Sequence, residues 1–292
     1  MHNNLPLVSV IMITHGHEKY IQKAIEGVFL QKTNFPVELI IANDCSPDNT
    51  DEIVKEIIKK SPPPNIQVKY TKHETNKGMH LNFIWAYQHV KGKYVAVCEG
   101  DDYWTDENKL QKQVDFLEQN PDYSISCHNV YFLNGDTLSS ESPYDKENTQ
   151  ETYTLNDLAS RNLIPTLSVI FRYFGINFPD WYLSSPMGDY PLMLWIAQKG
   201  KIKYFKEKMG VYRQNVGVWS NKQKDYPKII SVFENLLFDF ENFPVAKKLL
   251  TEHKNKYIKA MLYSKSFSEV IRNKNWKELS YVDRLKVLIK SL

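Results

Sequence analysis

The first hundred residues alternate between short apolar runs and segments in which apolar residues recur every three or four positions. Leu7–Ile13 is a continuous run rich in valine and isoleucine, which is typical of a strand covered on both faces of a sheet. The next apolar residues fall on one face of a helix from about Glu18 to Gln31, at Ile21, Ala24, Ile25, Val28 and Phe29. A strand followed by a helix predicts the start of a β-α-β unit.

The same unit repeats along the chain. Further strands are predicted at Val37–Ala42, Ile66–Thr71 and Tyr94–Cys98, and further helices from about Thr50 to the Pro62–Pro64 breaker and at Met79–His89. Right-handed crossovers between parallel strands bring the loops after the strands to one edge of the sheet, where ligands bind. Asp44, Asn76 and Glu99–Asp102 each follow a predicted strand, so we expect them to converge on one crevice.

The pattern changes in the second half of the chain. It predicts a helix at Glu107–Gln119, a strand at Tyr123–Phe132, a polar surface loop from Asn134 to Thr152, and helices at Asn156–Arg161 and Pro186–Lys199. After Ser220 the chain is predicted to be wholly helical. We therefore expect an α/β domain at residues 1–220 and a basic helical region at residues 221–292.

The composition is that of a folded globular protein, with 42% hydrophobic and 24% charged residues in 292. The longest apolar runs are far shorter than the ~20 residues that span a bilayer, and the N-terminus lacks a basic-then-apolar signal pattern. We expect a cytoplasmic protein. Cys45, Cys98 and Cys127 are widely spaced without a C-x-x-C pair, which favours free thiols.

The net charge of +3 hides an asymmetry. Residues 221–292 contain 15 lysines and arginines against 8 aspartates and glutamates, whereas the preceding residues contain 22 against 26. A basic region with Leu285, Leu288 and Ile289 between its charges could lie on an anionic membrane as a peripheral partner. The commoner alternative is a solvated basic face on helices packed against the body. No nucleic acid partner is predicted.

An acidic run, Glu99-Gly100-Asp101-Asp102, directly follows a predicted buried strand. Carboxylates crowded at a strand end repel one another unless a cation lies among them. Oxygen ligands favour Mg²⁺ or Mn²⁺, whose coordination is usually completed by phosphate oxygens and water. The alternative is a solvated acidic turn.

Five segments are distinctive when taken together and in order: VSVIMITHGHEKYIQKAI, ELIIANDCSPDNT, NKGMHLNFIWAYQHVKGKYVAVCEGDDYW, PMGDYPLMLWIAQKG and VYRQNVGVWS. In this combination they resemble the family-2 inverting glycosyltransferases. The resemblance covers roughly Leu5 to Ser220 and is greatest to the bacterial branch that decorates surface glycans. It implies the Rossmann-like GT-A fold, a mixed and mainly parallel sheet flanked by helices, here with a C-terminal helical extension.

The resemblance implies a nucleotide pocket built from the loops after the first two strands. Thr14 and His15 match positions that line this pocket. Asn43 and Asp44 match the family's paired-aspartate turn, whose second carboxylate accepts a hydrogen bond from the base, usually uracil. Asp44 suits that role, because a carboxylate can accept a hydrogen bond from an imide N–H.

Two further segments match positions near the donor. Asn76 and Lys77 belong to the segment that approaches the nucleotide, where Lys77 would offset diphosphate charge or be a solvated loop lysine. Arg213 matches an arginine that commonly faces phosphate. Its guanidinium could bind a diphosphate through two parallel N–H···O hydrogen bonds. Asn215 stands where relatives often carry histidine.

The acidic run matches the family's Asp-x-Asp signature at Glu99 and Asp101. We assign Asp101 and Asp102 to the metal, Mn²⁺ or Mg²⁺, and Glu99 to the ribose or metal side. Glutamate in place of the usual first aspartate is a departure from the family pattern. Its side chain is longer, which changes how far its carboxylate reaches towards a metal.

Inverting transfer needs a base for the acceptor hydroxyl and an electrophile for the leaving diphosphate. Asp189 matches the family's catalytic aspartate at the start of a helix, where capping that helix is a compatible alternative. Gly188 stands where many relatives have a second acidic residue. Trp104, Trp181 and Trp219 would be either sugar-stacking platforms or core residues.

The expected function is an inverting transfer of one sugar from a nucleotide-sugar, UDP-linked, to a hydroxyl of a surface glycan or glycolipid. A non-catalytic carbohydrate- or nucleotide-binding protein and a nucleotidyltransferase are the alternatives. The chain lacks the glycine-rich motifs of NAD-binding dehydrogenases and P-loop ATPases. It also lacks the Q-x-x-R-W motif and membrane helices of processive synthases, so single additions are expected.

Overall fold

One mixed sheet runs through the computed structural model, which describes residues 7–60, 62–147, 149–216, 224–263 and 265–291. Within these residues the sheet has ten strands: β1 (Val8–Thr14), β2 (Val37–Asn43), β3 (Ile66–Lys72), β4 (Tyr94–Val97), β5 (Tyr103–Trp104), β6 (Tyr123–Asn134), β7 (Thr137–Ser139), β8 (Thr152–Tyr153), β9 (Ile170–Arg172) and β10 (Lys201–Arg213). Its central order is β3-β2-β1-β4-β9-β6-β10-β5, with β7 paired to β6 and β8 to β10.

The strands β1 to β4 are parallel neighbours, as the alternation of strands and helices predicts. Strands β6 and β10 are also parallel, whereas β9 and β5 run antiparallel to their neighbours. Every residue of β2 and all but one of β1 are buried, which fits their continuous apolar sequences. The predicted α/β class with a mixed, mainly parallel sheet is confirmed.

Helices connect and flank the strands. They are α1 (Ile21–Phe29), α2 (Thr50–Lys59), α3 (Met79–Gln88), α4 (Lys109–Gln119), α5 (Pro143–Glu147), α6 (Leu155–Ser160), α7 (Asp189–Ala197), α8 (Tyr226–Asp239), α9 (Pro244–Leu262), α10 (Phe267–Arg272) and α11 (Tyr281–Ser291). Helix α1 begins later than the predicted Glu18, and residues 18–20 form a turn in which the backbone N–H of Tyr20 donates to the carbonyl of His17.

The prediction of a polar surface loop from Asn134 to Thr152 is wrong about the secondary structure. The segment contains β7 and α5, and Thr152 begins β8. Leu138 pairs with Leu133 across a tight turn at Gly135, whose φ of +57° is easily reached by glycine. A short hairpin with an exposed strand has no apolar alternation to reveal it. Strands β5, β9 and β10 were also not predicted.

The chain divides into two compact units. Within the described residues, the first unit contains residues 7–154, 163–178 and 195–216, and the second contains residues 155–162, 179–194 and 224–291. The sheet and the largest apolar cluster belong to the first unit. A second apolar cluster, built from the C-terminal helices, belongs to the second unit.

The division into domains predicted at residue 220 stays a prediction. The second unit contains two segments that precede this residue, and one of them carries Asp189. Helices α8 to α11 account for most of the described residues after 224, as the sequence predicts. None of the helices described here is both long and apolar enough to cross a membrane.

Candidate active site

The loops that follow β1, β2 and β4 meet at one edge of the sheet. Thr14 ends β1 opposite Asn43, the last residue of β2. The backbone N–H of Asp44 donates to the carbonyl of Thr14 at 2.9 Å, and that of Gly100 donates to the carbonyl of Ile13 at 3.0 Å. The end of β1 therefore holds both neighbouring loops in place, and the residues expected to converge do so.

The carboxylate of Asp44 fixes the loop before α3. Its Oδ1 accepts from the backbone N–H of Lys77 at 2.7 Å, and its Oδ2 accepts from that of Gly78 at 2.9 Å. Gly78 has a φ of +83°, which a residue with a side chain rarely adopts. The Asp44 side chain is buried, so it positions residues 76–78 whether or not it also contacts a nucleotide base.

The exposed rim of this loop pair is polar. His15 lies with Nδ1 2.8 Å from the carbonyl oxygen of Asp44. The amide nitrogen of Asn76 lies 3.4 Å from both ring nitrogens of His15. His15, Asn76 and Lys77 are all exposed. They form a solvent-facing edge with hydrogen-bonding groups and one lysine cation.

Asn43 is fully buried, and its amide is used within the fold. Its Oδ1 accepts from the backbone N–H of Ser46 at 2.9 Å, and its Nδ2 donates to the hydroxyl of Tyr70 at the same distance. Asn43 therefore shapes the turn that carries Asp44.

The acidic loop is crowded and largely withdrawn from solvent. Asp101 is 9% exposed, Asp102 is 2% exposed and Glu99 is half-buried. Burial raises the pKa of Asp102 well above its usual value, and the charges of Asp101 and Glu99 raise it further. The backbone N–H and the charge of Arg213 act in the opposite direction.

Gly100 allows the acidic loop to pack against β1. A Cβ atom at this position would lie 2.7 Å from Oγ1 of Thr14 and 2.9 Å from Nδ1 of His17. No side chain can be placed there unless these neighbours move. The packing thus shows why glycine is needed between Glu99 and Asp101.

His17 is a site residue that the sequence analysis missed. Its Nδ1 lies 3.1 Å from Oγ1 of Thr14. Burial lowers the pKa of His17, although the negative charges of Asp101 and Asp48 oppose that shift. The sequence feature that could have identified His17 is its position in the loop after β1, two residues beyond His15.

Arg213 is held between two tyrosine rings. Its guanidinium carbon lies 4.9 Å from the ring centroid of Tyr20 and 4.8 Å from that of Tyr103. The side chain is buried, and its Nε has no hydrogen-bond partner among the described residues. Lys23 Nζ also lies 4.4 Å from the centroid of Tyr103. A fixed cation with unused hydrogen-bonding capacity thus lies beside the acidic loop.

The next residues continue away from β10 in a turn. Asn215, which replaces the usual histidine, has a φ of +62°, and its amide donates to the side-chain oxygen of Asn134 at 3.3 Å. The left-handed conformation suits asparagine better than most residues.

The acidic loop fits a divalent cation that takes few protein ligands. No group of three or more His, Cys, Asp or Glu side chains in the described ranges is arranged to enclose a metal. The buried carboxyl of Asp102, whose pKa is raised, nevertheless favours a nearby positive charge. A site of this kind suits Mg²⁺ or Mn²⁺ with most ligands supplied by phosphate and water.

Of the two roles left open for Trp104, the structure supports core packing. Its ring is 2% exposed, and its Nε1 donates to the carbonyl of Leu167 at 2.7 Å. The ammonium of Lys109 lies 3.9 Å from the ring centroid, fully buried and without a hydrogen-bond partner in the described residues. Trp181 is half-buried, and Trp219 lies outside the described residues.

Asp189 opens helix α7 in the second unit. The turn before it is fixed by Tyr182, whose hydroxyl donates to the carbonyl of Gly188 at 3.0 Å. Tyr190 donates to the carbonyl of Leu158, also at 3.0 Å. Burial raises the pKa of Tyr257, and the negative charge of Asp189 adds to this shift. Asp189 is half-buried at the start of a firmly held helix.

The sequence profile described as Glycosyl transferase family 2 matches residues 9–176, which is more than half of the chain. The chain therefore belongs to glycosyl transferase family 2.

Two relatives illustrate the similarity. An uncharacterised protein of Mycobacterium tuberculosis is 34% identical over 222 residues, which span 76% of this chain and 63% of that protein. The matched region is thus less than two thirds of that relative. A proposed teichuronic acid biosynthesis glycosyltransferase of Bacillus subtilis, TuaG, is 28% identical over 81% of this chain and 90% of its own length.

Two solved structures share the fold. Staphylococcus aureus TarS, residues 1–349, in complex with UDP-GlcNAc has a TM-score of 0.66 at 19% identity, covering 98% of this chain and 79% of that one. The mannosyltransferase PcManGT of Pyrobaculum calidifontis, in complex with GDP-Man and Mn²⁺, has a TM-score of 0.58 at 16% identity, covering 98% and 86%. At such identities the likeness establishes the GT-A type of fold.

Proposed function

We propose that the protein transfers one sugar from a nucleotide-sugar, UDP-linked, to a hydroxyl of a cell-surface glycan or glycolipid, with inversion at the anomeric carbon. The observation that carries this proposal is the buried acidic loop Glu99–Asp102, packed against the end of β1 and bonded to Arg213. The family membership and the names of TuaG and TarS support it.

The edge formed by the loops after β1 and β2 would bind the nucleoside. Asp44 would accept from the base, and Thr14 and His15 would line the pocket. Asn76 and Lys77 would approach the donor from the exposed loop that Asp44 fixes. Because the side chain of Asn43 is fully buried, its contribution is to hold the Asp44 turn.

Asp101 and Asp102 would hold Mn²⁺ or Mg²⁺, with Glu99 on the ribose side. When bound, the cation supplies charge stabilisation to the leaving diphosphate. Oδ1 of Asp102 already accepts a hydrogen bond from the backbone N–H of Arg213. Asp102 would therefore contribute its other oxygen and its negative charge to the cation. Arg213 would place a second positive charge at the diphosphate from its position between two tyrosines.

Asp189 would act as the general base. It would take the proton of the acceptor hydroxyl while the acceptor oxygen forms a bond to the anomeric carbon and the bond to the diphosphate oxygen breaks. One proton moves to the carboxylate, and the nucleoside diphosphate leaves with the electron pair. Gly188 leaves Asp189 as the single carboxylate of its motif.

A panel of UDP-, GDP- and dTDP-sugars with Mn²⁺ tests the donor assignment. A ligand that binds only the native state raises the free energy of unfolding by about 2.7 kcal/mol at a hundred times its Kd. We expect a UDP-sugar to raise the Tm, with a smaller rise for Asp101→Asn. The absence of any shift across the panel would overturn the donor assignment. Donor binding without turnover on any glycan acceptor would instead favour a non-catalytic binding protein.

We also propose that the protein acts on the cytoplasmic side of the plasma membrane. The basic C-terminal helices would associate peripherally with the anionic inner leaflet, where lipid-linked acceptors would be presented. The name of TuaG supports a place in surface polysaccharide synthesis.

A further inference from the structure

Helix α11 carries exposed apolar side chains along its outward face. Tyr281 is 75% exposed, Val282 58%, Leu285 42% and Ile289 73%. At 100° per residue these four side chains fall within about 100° of the helix circumference. They form one continuous stripe, which we call the outward face of α11.

The opposite side of the same helix is buried. Val287 is fully buried in the apolar cluster of the second unit, together with Ile258, Leu262 and Val270. Leu288 packs partly against this cluster. Of the three apolar residues that the sequence singled out, Leu288 is partly buried at the edge of the outward face, whereas Leu285 and Ile289 are exposed on it. One buried apolar side is enough to pack a helix against its neighbours. The exposed apolar residues of the outward face are therefore not needed for the folding of α11.

The segment that contains α10 and α11 is predominantly positive. Residues 265–291 contain seven lysines and arginines against three acidic residues. All three acidic side chains are engaged locally: Glu269 caps α10 with Ser266, Glu278 pairs with Lys254, and Asp283 pairs with Lys259. The internal pairing of the carboxylates leaves a positive surface.

Exposed cations flank the outward face on the helix itself. Lys286 is exposed and follows Val282 by four residues and precedes Ile289 by three, so it borders the stripe. Lys290, about one helical turn after Lys286, is also exposed, and its ammonium lies 4.4 Å from the ring centroid of Tyr263. Aliphatic and tyrosine side chains beside lysines match the boundary between lipid headgroups and acyl chains.

We propose that the outward face of α11 binds an anionic lipid bilayer, with the helix lying in the plane of the interface. The apolar stripe enters the headgroup region, and Lys286 and Lys290 contact lipid phosphates. A second copy of this chain fits less well, because a symmetric contact through the same face would bring positive flanks together. The inference gives the proposed membrane location a defined surface, but lipid binding does not depend on sugar transfer.

Cosedimentation of the full chain with vesicles tests this surface. We expect binding to vesicles containing phosphatidylglycerol, weaker binding at high salt, and little binding to phosphatidylcholine alone. The double variant Leu285→Ser/Ile289→Ser should lose about tenfold or more in affinity, because these side chains supply the buried apolar area. Lys286→Gln should lose about fivefold.

Matched controls separate the surface from general hydrophobicity. The variant Leu30→Ser/Leu138→Ser removes two exposed leucines of the first unit, 45% and 53% exposed, and should bind vesicles as the parent does. An unchanged Tm for each variant shows that folding is intact. Equal binding to both vesicle types, or full binding by the Leu285/Ile289 variant, would refute the proposal. A dimer in light scattering that this variant abolishes, without vesicle binding, would assign the face to a second copy.

Discussion

The backbone N–H of Arg213 donates to Oδ1 of Asp102 at 2.7 Å, which ties the acidic loop after β4 to the end of β10. The two residues are 111 positions apart in the chain. The charge of Arg213 also acts on the buried carboxyl of Asp102 and opposes the rise in its pKa, so the positive and negative parts of the candidate site are coupled. Each of the two then depends on the other for its position.

The tyrosine rings around Arg213 should matter for donor use. Tyr20→Leu removes one of the two rings on which the guanidinium rests, at 4.9 Å, and a cation–π contact is worth about 0.5–2 kcal/mol. We expect kcat/KM for the nucleotide-sugar to fall by about 2- to 30-fold. Tyr20→Phe keeps the ring and should keep activity. If the Phe variant were as impaired as the Leu variant, the hydroxyl and not the ring face would be the group that acts.

Transfer should require a divalent cation held at the acidic loop. EDTA should stop turnover, and Mn²⁺ or Mg²⁺ should restore it. Asp101→Asn should reduce kcat/KM by about a hundredfold or more, since Lewis-acid stabilisation of the leaving group contributes several kcal/mol. Asp115→Asn changes an exposed carboxylate on α4 and is the matched control. Full activity in EDTA would remove the metal from the mechanism.

The elements built from local periodicity could be predicted from the sequence, and those built from distant pairings could not. Strands β1 and β2 are continuous apolar runs, and α1 shows its buried stripe directly. Strand β5 has two residues and exists because it pairs with Gly210 and Val211 on β10. No local pattern reveals a partner about a hundred residues away.

The same limit applies to the site. The acidic run and Asp44 are visible because their types and spacing are distinctive. The position of Arg213 between Tyr20 and Tyr103 depends on three separate parts of the chain. Trp104 is only two residues beyond the acidic loop in sequence, yet its ring is buried in the core and its Nε1 donates to the carbonyl of Leu167. Closeness to the acidic loop in sequence therefore does not show whether a side chain faces the candidate site or the core.

Asp189→Asn should abolish transfer and leave nucleotide-sugar binding nearly unchanged. Loss of a general base costs about 10²- to 10⁴-fold in rate, whereas asparagine has nearly the same size as aspartate and is suited to the start of a helix. The measurements are kcat with a glycan acceptor and the Tm shift with the donor. Asp180→Asn alters an exposed carboxylate of the same unit and should behave as the parent. Retained turnover in Asp189→Asn would exclude this residue as the base.

The buried Lys109 should make stability depend on pH. Burial lowers its pKa to about 7, against about 10.4 in the unfolded chain. Between these two values the unfolded chain binds a proton that the folded protein does not, so this group's contribution to stability falls as the pH falls from about 10 to 7. Below about 7 both states are protonated, and the loss is complete.

Replacing Lys109 with methionine should remove this dependence. The side chain of methionine fills a similar volume against Trp104 without a charge to bury. In denaturant unfolding, Lys109→Met should gain stability over the parent at pH 6.5, by a few kcal/mol at most, and the gain should shrink towards pH 10. Lys60→Met, at an exposed position, should show no such trend. A gain that is constant with pH would mean that packing, and not the desolvated ammonium, sets the difference.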